Sequence, residues 1–483
     1  MESTDPTLVA TTAGLVRGTA LASGVRRFLN IPYAAAPFGE HRWRPPQPVS
    51  AWQGERACTE WGPTSPQTQY TGSIAEVLKD MPTVPGEDVL NLNVWVPAAA
   101  PPPGGYPVVV WVHGGALERG AACIRVYDGG NFARDGVVFV SIHYRLGFEG
   151  FAVLEGADLN LGLEDAAAAL RWVAAEIGAF GGNKDQVTLM GESAGGVLTA
   201  ALLARADTRA LVARAIIQSA PLAAKERAEA AKPTAELTKA LGIPATADAW
   251  RAHDPVALLE ARGRLLAGRS ILDGTPGFQL ALDPGSLPAS PDTALRRIDT
   301  PILIGTTTEE HRLFLSSAEL AAVPWWKLLL VRWYLKIPRA AAAAVRRAFP
   351  GANAGDVLGT LLLDLYMRKP AAELAAARPT KTWVYEFAWP SPVRELRAAH
   401  AVEIEFAFDN LCGRDESVPV ALAGRDAPQA LADEMHAAWV GFIKAGEPGW
   451  APYGKERLTR VFDTVSATVP LRRADVVDAL PSA

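Results

Sequence analysis

A serine between glycines is the first feature of this sequence that could carry chemistry. The pentapeptide GESAG, centred on Ser193, follows the apolar run VTLM and precedes an alanine-rich stretch with helical periodicity. At a strand-to-helix turn, a G-x-S-x-G sequence holds the serine hydroxyl above the sheet. The N-terminus of the following helix favours developing negative charge at the same point. The pattern therefore predicts that Ser193 is a nucleophile, and a purely structural turn is the alternative.

A serine nucleophile needs a histidine base, and with this type of turn the histidine comes last along the chain, after the acid. His311, His400 and His436 are the histidines that qualify by order. His436 lies in an apolar helical run and is predicted to pack in the interior, whereas His311 is adjacent to Glu310, and neighbouring side chains diverge. His400 follows the run TWVYEFAW through a loop. We therefore predict His400 as the base, with a surface histidine as the alternative.

The third member of such a site is a carboxylate that accepts the ring N–H of the histidine and stabilises the imidazolium. The run PILIGTTTEEH predicts a strand followed by two candidates, Glu309 and Glu310. The residue pattern by itself leaves both open.

A second glycine-containing turn could stabilise an oxyanion. The run VVVWV leads into His113-Gly114-Gly115-Ala116, which matches an HGGG-type loop whose backbone N–H groups act together with that of Ala194. Each donor of this kind is worth about 3 kcal/mol of barrier lowering. A simple glycine turn is the alternative.

Short apolar runs alternate with long helical patterns, which is typical of an α/β protein with a largely parallel, buried sheet. Strands are predicted at residues 108–112, 137–142, 187–190, 215–218, 301–304 and 383–387. The clearest helices are predicted at 163–180, 194–206 and 428–445. Residues 8–30 and 90–96 are predicted to be antiparallel additions, and the proline-rich run 97–107 a surface loop. Residues 221–297 and 315–380 are predicted to be helical insertions over one face of the sheet.

Composition narrows the class of protein. The 483 residues carry 52 acidic and 47 basic side chains, a net charge of −5 that argues against a nucleic-acid partner. The three cysteines form no paired framework, and the N-terminus lacks the pattern of a signal peptide, so a cytoplasmic protein is expected. The apolar stretch 320–335 is too short to span a bilayer, and no membrane partner is expected.

Taken together, these motifs resemble the type-B carboxylesterase/lipase family, a cholinesterase-like group close to bacterial p-nitrobenzyl esterases. The motifs that carry the resemblance are FLNIPYAAAPFGEHRWRPPQP, EDVLNLNVW, VVVWVHGGA, SIHYRLGFEGF, FGGNKDQVTLMGESAGG, AIIQSA, ILIGTTTEEHRLF and HAVEIEFAFDN. The resemblance implies a single α/β-hydrolase domain over residues 1–483. It also implies a serine hydrolase that cleaves carboxylic esters through an acyl-enzyme intermediate, with no metal or organic cofactor.

The resemblance also assigns roles to individual residues. It makes Ser193 the nucleophile, Glu310 the acid and His400 the base. The oxyanion donors become the amides of Gly115, Ala116 and Ala194, and Glu192 and Ser219 become supporting neighbours of the reacting groups.

Some positions depart from the family pattern or depend on it. Leu117 stands where an aromatic residue commonly follows the oxyanion loop, and His143 replaces the asparagine of NYRLG. These departures concern substrate specificity. Arg42 and Glu87 occupy positions that pair in the family, so a buried ion pair between them is expected, with two solvated charges as the alternative.

The insertion after the acid, VPWWKLLLVRWYL, is rich in bulky apolar residues. Trp325 and Trp326, together with Leu117, are predicted to wall an apolar pocket. The alternative is that Trp325, Trp326 and Trp333 pack a helix onto the core. An apolar pocket favours neutral esters with small to medium acyl chains, and the oligomeric state is left open. Two other functions compete: hydrolysis of amides, carbamates or thioesters with the same triad, and a non-catalytic cholinesterase-like binding module.

Overall fold

The predicted strands form the framework of the fold. A computed structural model describes residues 5–78, 81–267, 277–378, 380–412 and 421–481. Contacts between Cα atoms divide the chain into two units. The first comprises Met1–Gln69, Asp80–Ala215 and Ala224–Ala294, and the second Tyr70–Lys79, Ile216–Ala223 and Leu295–Ala483. A single domain over residues 1–483 stays a prediction.

The first unit contains a small sheet of order β1-β2-β5 and strands of the main sheet in the order β9-β7-β8-β6-β4-β3. Its strands are β1 (Leu8–Ala10), β2 (Leu15–Arg17), β3 (Thr19–Ala20), β4 (Arg26–Pro32), β5 (Glu55–Ala57), β6 (Asn91–Val96), β7 (Tyr106–Val112), β8 (Val138–Ile142) and β9 (Gly182–Glu192). Strand β7 runs parallel to β8 and β9, whereas β6 is antiparallel to β4 and β8.

The central strands of this unit form because β-branched residues fit a sheet that is covered on both faces. Val110 of β7 pairs with Val140 of β8 and with Leu189 of β9, and all three are fully buried. The strands predicted at 108–112, 137–142 and 187–190 are confirmed, as is the antiparallel addition at 90–96.

Helices follow the strands of the first unit. They are α1 (Gly130–Arg134), α2 (Gly147–Phe151), α3 (Leu161–Glu176), α4 (Ala194–Ala204), α5 (Ala206–Arg209), α6 (Arg227–Ala230), α7 (Lys232–Leu241), α8 (Ala247–Arg251), α9 (Pro255–Leu266) and α10 (Pro291–Ala294). Helix α3 buries Leu163, Leu170 and Val173 on one side, and Ser193 alone separates the end of β9 from the start of α4.

The second unit has its own strands in the order β14-β13-β12-β11-β10. They are β10 (Arg214–Gln218), whose first two residues belong to the first unit, β11 (Ile302–Thr307), β12 (Thr382–Phe387), β13 (Leu458–Phe462) and β14 (Ala467–Pro470). Strand β12 is parallel to β11 and β13, and β14 is antiparallel to β13. The strands predicted at 215–218, 301–304 and 383–387 are confirmed, whereas β13 and β14 were not predicted.

The helices of the second unit are α11 (Ser317–Ala322), α12 (Trp325–Tyr334), α13 (Arg339–Ala348), α14 (Ala354–Leu363), α15 (Lys369–Ala377), α16 (Glu403–Ala407), α17 (Gln429–Ala445) and α18 (Ala474–Ala479), with a π-helical turn at Asp364–Arg368. The helix predicted at 428–445 is confirmed as α17, whose Trp439 packs edge-on against Tyr385 of β12. Both predicted insertions contain helices, α6 to α10 in the first and α11 to α15 in the second, joined by irregular segments such as residues 277–290. No helix in the described ranges is long and apolar enough to cross a bilayer.

The buried ion pair of Arg42 differs from the expected one. Its guanidinium lies 2.6 Å from Glu149 and also donates to the carbonyl of His253, whereas Glu87 is exposed. The expected pair with Glu87 is therefore wrong. A buried arginine needs a carboxylate that is itself buried, and helix α2 supplies one in Glu149, whereas Glu87 lies in an exposed stretch before β6.

Candidate active site

Ser193 occupies a sharp, left-handed turn between β9 and α4, with φ +53° and ψ −121°. The glycines beside it are required by close contacts. A Cβ on Gly195 would lie 1.9 Å from the carbonyl oxygen of Val112, and one on Gly191 would lie 2.4 Å from that of Gly195. The side chain of Ser193 is half-buried at the start of the helix. This is the strained strand-to-helix geometry that presents a serine hydroxyl for attack.

The loop after β7 turns back with three consecutive left-handed residues, Gly115, Ala116 and Leu117, at φ +117°, +57° and +60°. It lies against the serine turn, because a Cβ on Gly114 would be 3.2 Å from Cβ of Ser193. Within the described part of the chain, the amides of Gly115 and Ala116 have no acceptor.

Ala194 adds a third amide beside the serine. It is the first residue of α4, so its N–H belongs to the turn that has no intrahelical acceptor. Backbone donors grouped in this way can stabilise a developing oxyanion without reorganising during the reaction.

The left-handed loop is held by hydrogen bonds from both of its ends. The amides of Glu118 and Arg119 donate to the carbonyl of Gly115 at 3.1 and 2.9 Å. The side chain of Gln67 accepts from the amide of Gly120 at 2.8 Å and donates to its carbonyl at 3.0 Å. Sequence reasoning missed Gln67, because nothing in its neighbourhood marks a residue that clamps a loop so far along the chain.

Two buried histidines lie beneath this loop and carry no charge. The ring of His113 stacks on Tyr144 with centroids 4.5 Å apart, and its Nδ1 lies 2.8 Å from the carbonyl of Gly114. Burial lowers the pKa of His113 to about 4. Burial and the neighbouring His113 lower the pKa of His143 to about 3. Neither imidazole supplies a fixed positive charge at neutral pH.

Glu310 and His400 lie together in the second unit, and both are buried. Nδ1 of His400 is 2.5 Å from Oε2 of Glu310, and since a carboxylate only accepts, Nδ1 is the donor. The other carboxylate oxygen accepts from the hydroxyl of Ser219 and from the amide of Thr307, each at 2.7 Å. The ring of Phe314 covers His400 with centroids 5.2 Å apart.

These contacts keep Glu310 ionised. Burial would raise the pKa of its carboxyl, but the charge of His400 and the hydrogen bonds from His400, Ser219 and Thr307 hold the pKa below its usual value. A carboxylate in this state can orient an imidazole and stabilise its protonated form.

Glu309 is engaged elsewhere. Its two carboxylate oxygens pair with Arg312 at 2.8 Å and with Arg397 at 3.0 Å. Of the two glutamates that the residue pattern left open, Glu310 is thus the one that contacts His400.

A network of buried charges supports the turn that carries Glu310. Arg368 donates to the carbonyl of Thr307 at 2.9 Å and to Glu386 at 3.1 Å. The hydroxyl of Thr308 donates to Glu386 at 2.7 Å, and Arg473 donates to the carbonyl of Thr308 at 3.1 Å. Burial would raise the pKa of Glu386, but the surrounding arginines hold it well below its usual value. Sequence reasoning missed this network, since its members come from four separate segments.

The other residues considered in the sequence analysis lie on separate elements of the fold. Leu117 is buried in the left-handed loop after β7, where its carbonyl accepts from the amide of Gly147. Trp325 and Trp326 are 69% and 54% exposed on α12, so their role in a pocket wall stays a prediction, and the alternative in which they pack onto the core is wrong. His436 is buried with its Nδ1 2.8 Å from the carbonyl of Ala407, which confirms its predicted packing role.

Comparison with known proteins gives concordant results. A model described as the carboxylesterase family matches residues 5–327. The para-nitrobenzyl esterase of Bacillus subtilis (strain 168) is 34% identical over 475 residues, covering 95% of each chain. The phenmedipham hydrolase of Pseudarthrobacter oxydans is 32% identical, covering 91% of this chain and 90% of that protein. A solved PNB esterase structure superposes with a TM-score of 0.86 at 32% identity, covering 99% of this chain and all of that one.

Proposed function

Because this chain belongs to the carboxylesterase family, has the α/β-hydrolase fold and cleaves carboxylic ester bonds, we propose that Ser193 is the nucleophile, His400 the base and Glu310 the acid. The contact between Glu310 and His400 is the observation that carries these roles. It fixes the proton on Nδ1 and so leaves Nε2 as the basic nitrogen of the ring. The left-handed turn at Ser193, beside three grouped amides, supports the other half of the reaction.

The reaction follows from these groups. Oγ of Ser193 attacks the ester carbonyl while Nε2 of His400 takes its proton, and the oxyanion accepts hydrogen bonds from the amides of Gly115, Ala116 and Ala194. His400 then protonates the leaving alcohol, which departs and leaves the acyl group on Ser193. Water repeats the attack with His400 again as base, and the acid product leaves.

Neutral esters with small to medium acyl chains are the proposed substrates. The neutral His113 and His143 provide no fixed charge next to the oxyanion loop, and the buried Leu117 keeps the interior of that loop apolar. The likeness to a para-nitrobenzyl esterase supports esters of aromatic alcohols. Hydrolysis of amides, carbamates or thioesters would use the same residues and is the second candidate.

Replacement of the nucleophile tests the assignment. Ser193→Ala should abolish ester turnover and covalent labelling by an organophosphate, with the fold intact by circular dichroism. The matched control is Ser23→Ala, a serine in an exposed loop, which should keep both. Labelling of the Ser193→Ala variant, or a labelled peptide that contains another serine, would remove Ser193 from the mechanism.

The substrate class is tested by rates on a series of nitrophenyl esters with increasing acyl length, beside matched amides and carbamates. Each buried methylene contributes at most about 0.8 kcal/mol, so kcat/KM should rise gradually and then fall once the pocket is full. A preference for dicarboxylate or quaternary-ammonium esters over neutral ones would contradict the proposed substrate class while leaving the triad in place.

A further inference from the structure

Helix α12 presents apolar side chains to solvent and buries a charge, the reverse of an ordinary surface helix. Its buried residues are Leu328 and Arg332. Its exposed residues recur at i, i+4 and i+8 and so share one face, which we call the aromatic face. These are Trp325 (69% exposed), Trp326 (54%), Leu329 (47%), Leu330 (54%), Trp333 (78%) and Tyr334 (76%).

The aromatic face is large for an unpartnered surface. Fully exposed aromatic side chains present about 150–250 Å² each, so its four aromatic residues alone expose on the order of 500 Å². Continuous apolar patches of this size on a folded protein mark a site of interaction with another molecule or a membrane. Tyr366 is 44% exposed and lies near this face, since burial and then the neighbouring Tyr334 raise the pKa of its hydroxyl.

The segment that carries this face is basic. Residues 323–348 contain six basic residues and no acidic one, in a chain whose net charge is −5. Lys336, Arg339 and Arg346 are exposed, and in the described segments no carboxylate pairs with them. Burial lowers the pKa of Arg332, and Arg339 and Arg346 lower it further, which indicates that these like charges lie close together.

We propose that the aromatic face and its flanking cations form a docking surface for an anionic phospholipid membrane. A helix with Trp, Tyr and Leu on one side and Lys and Arg beside them lies in the plane of the interface, with the aromatic rings at the headgroup level and the cations near phosphates. The sequence reading expected no membrane partner because the apolar stretch is too short to span. Docking parallel to the surface requires no span, and it is independent of the ester chemistry.

Charge selects a lipid surface over a second copy of the chain. A symmetric dimer through α12 would bring two sets of exposed cations, including Lys336, Arg339 and Arg346 from each copy, into one interface, and such juxtaposition is strongly unfavourable. Anionic headgroups instead neutralise these cations while the indoles lie at the headgroup level.

Vesicle co-sedimentation of the full chain tests the proposal. The protein should sediment with phosphatidylcholine vesicles that contain phosphatidylglycerol, more weakly with phosphatidylcholine alone, and less as salt is raised. The triple variant L330S/W333S/Y334S should lose more than about tenfold in vesicle affinity. The charge variant K336E/R339E should lose at least about tenfold on anionic vesicles only. Both should keep hydrolysis of a water-soluble nitrophenyl ester, which shows that they fold.

The matched control removes exposed apolar residues outside the aromatic face. Val256→Ser and Val465→Ser alter side chains that are 59% and 84% exposed, and they should sediment as the parent protein does. Equal sedimentation of the triple variant and the parent, or none for the parent, would overturn the proposal. So would a dimer of the parent, seen by analytical ultracentrifugation, that the triple variant abolishes, because a second copy would then cover the face.

Discussion

The two halves of the proposed site are held by different kinds of force. The serine turn and the oxyanion loop of the first unit are shaped by backbone sterics, with left-handed residues and glycines whose missing side chains make room for carbonyl groups. Glu310 and His400 of the second unit are held by hydrogen-bonded, buried charges instead. The left-handed turns are short runs of residues, even where a glycine makes room for a distant carbonyl as Gly195 does for that of Val112, whereas each buried charge depends on partners from distant segments.

This difference predicts how each half fails when it is altered. Sterically held groups should respond to added volume, and charge-held groups to the loss of one charge.

The acid should give the largest effect. Glu310→Gln removes the negative charge that orients His400 and stabilises its protonated form, so we expect kcat to fall by about 10⁴-fold. Its neighbour Glu309, which pairs with Arg312 and Arg397, provides the control, and Glu309→Gln should change kcat by less than about tenfold. Equal losses of kcat in the two variants, measured by steady-state kinetics, would mean that the negative charge next to His400 is not what maintains the Glu310–His400 half of the site.

The charges behind the acid should matter for both stability and rate. Glu386→Gln leaves Arg368, Arg472 and Arg473 without their shared counter-charge, which should lower the free energy of unfolding by about 3–5 kcal/mol. It should also lower kcat, because Arg368, which donates to the carbonyl of Thr307 in the turn that carries Glu310, loses a charged partner. Chemical denaturation and kinetics of the folded fraction measure the two effects.

A buried charge in the first unit supplies the comparison for that variant. Glu149→Gln leaves Arg42 unpaired and should cost a similar 3–5 kcal/mol, with kcat of the folded enzyme unchanged. If both variants lowered kcat equally, the special role of buried charge in the second half would be refuted.

Added volume should damage the first half. The new methyl group in Gly115→Ala would lie 2.1 Å from the carbonyl oxygen of Arg119, at a position with φ +117°, so the loop must shift and misplace its amides. We expect a loss of about 10²–10³-fold in kcat. Gly178→Ala, where a Cβ meets nothing within 4 Å, should behave as the parent. A fully active Gly115→Ala enzyme would argue against an oxyanion role for this loop.

The neutral histidines of the first unit should make its stability sensitive to acid. The pKa values of His113 and His143 fall from an ordinary 6.5 to about 4 and about 3, so the unfolded chain binds more protons in this window. Stability is therefore complete above about pH 6.5 and decreases as the pH falls, by about 1.4 kcal/mol per pH unit for each histidine.

Replacing one of these histidines measures its contribution to the pH dependence of the unfolding free energy. His143→Asn should reduce the pH slope of the unfolding free energy by about 1.4 kcal/mol per unit, measured by urea titrations between about pH 4.5 and 6.5. Ser23→Ala, at an exposed residue that does not titrate, should leave the slope unchanged. An unchanged slope in His143→Asn would show that this imidazole is not kept neutral by burial.

The contrast between backbone geometry and long-range charge pairs also explains which features the sequence could predict. The serine turn was predictable because its cause is local: GESAG lies between a β-branched run and an alanine-rich one, and the structure has a strand and a helix there. The choice between Glu309 and Glu310 could not be made from spacing, since it depends on partners such as Ser219, 91 positions away. Family resemblance selected Glu310, and the contact with His400 agrees with that selection.

Ion pairs between distant residues, and the exposure of individual side chains, could not be predicted for the same reason. Arg42 pairs with Glu149, 107 positions away, and no local pattern distinguishes it from Glu87. The tryptophans of α12 were expected either to wall a pocket or to pack inside, because apolar composition alone does not say which surface a helix presents. Patterns of residue type predicted the elements and their order, and the partners of individual side chains required the fold.

The left-handed backbone at Leu117 has a consequence for protein engineering. Its carbonyl accepts from the amide of Gly147, so the side chain, which we propose lines the pocket, is the part that a library could vary to change ester selectivity. With φ at +60°, however, few residue types are suitable, because β-branched residues are strongly disfavoured there while glycine and asparagine are tolerated. A saturation library at position 117 will therefore sample far fewer folded enzymes than its codons encode, and its design should weight those residues accordingly.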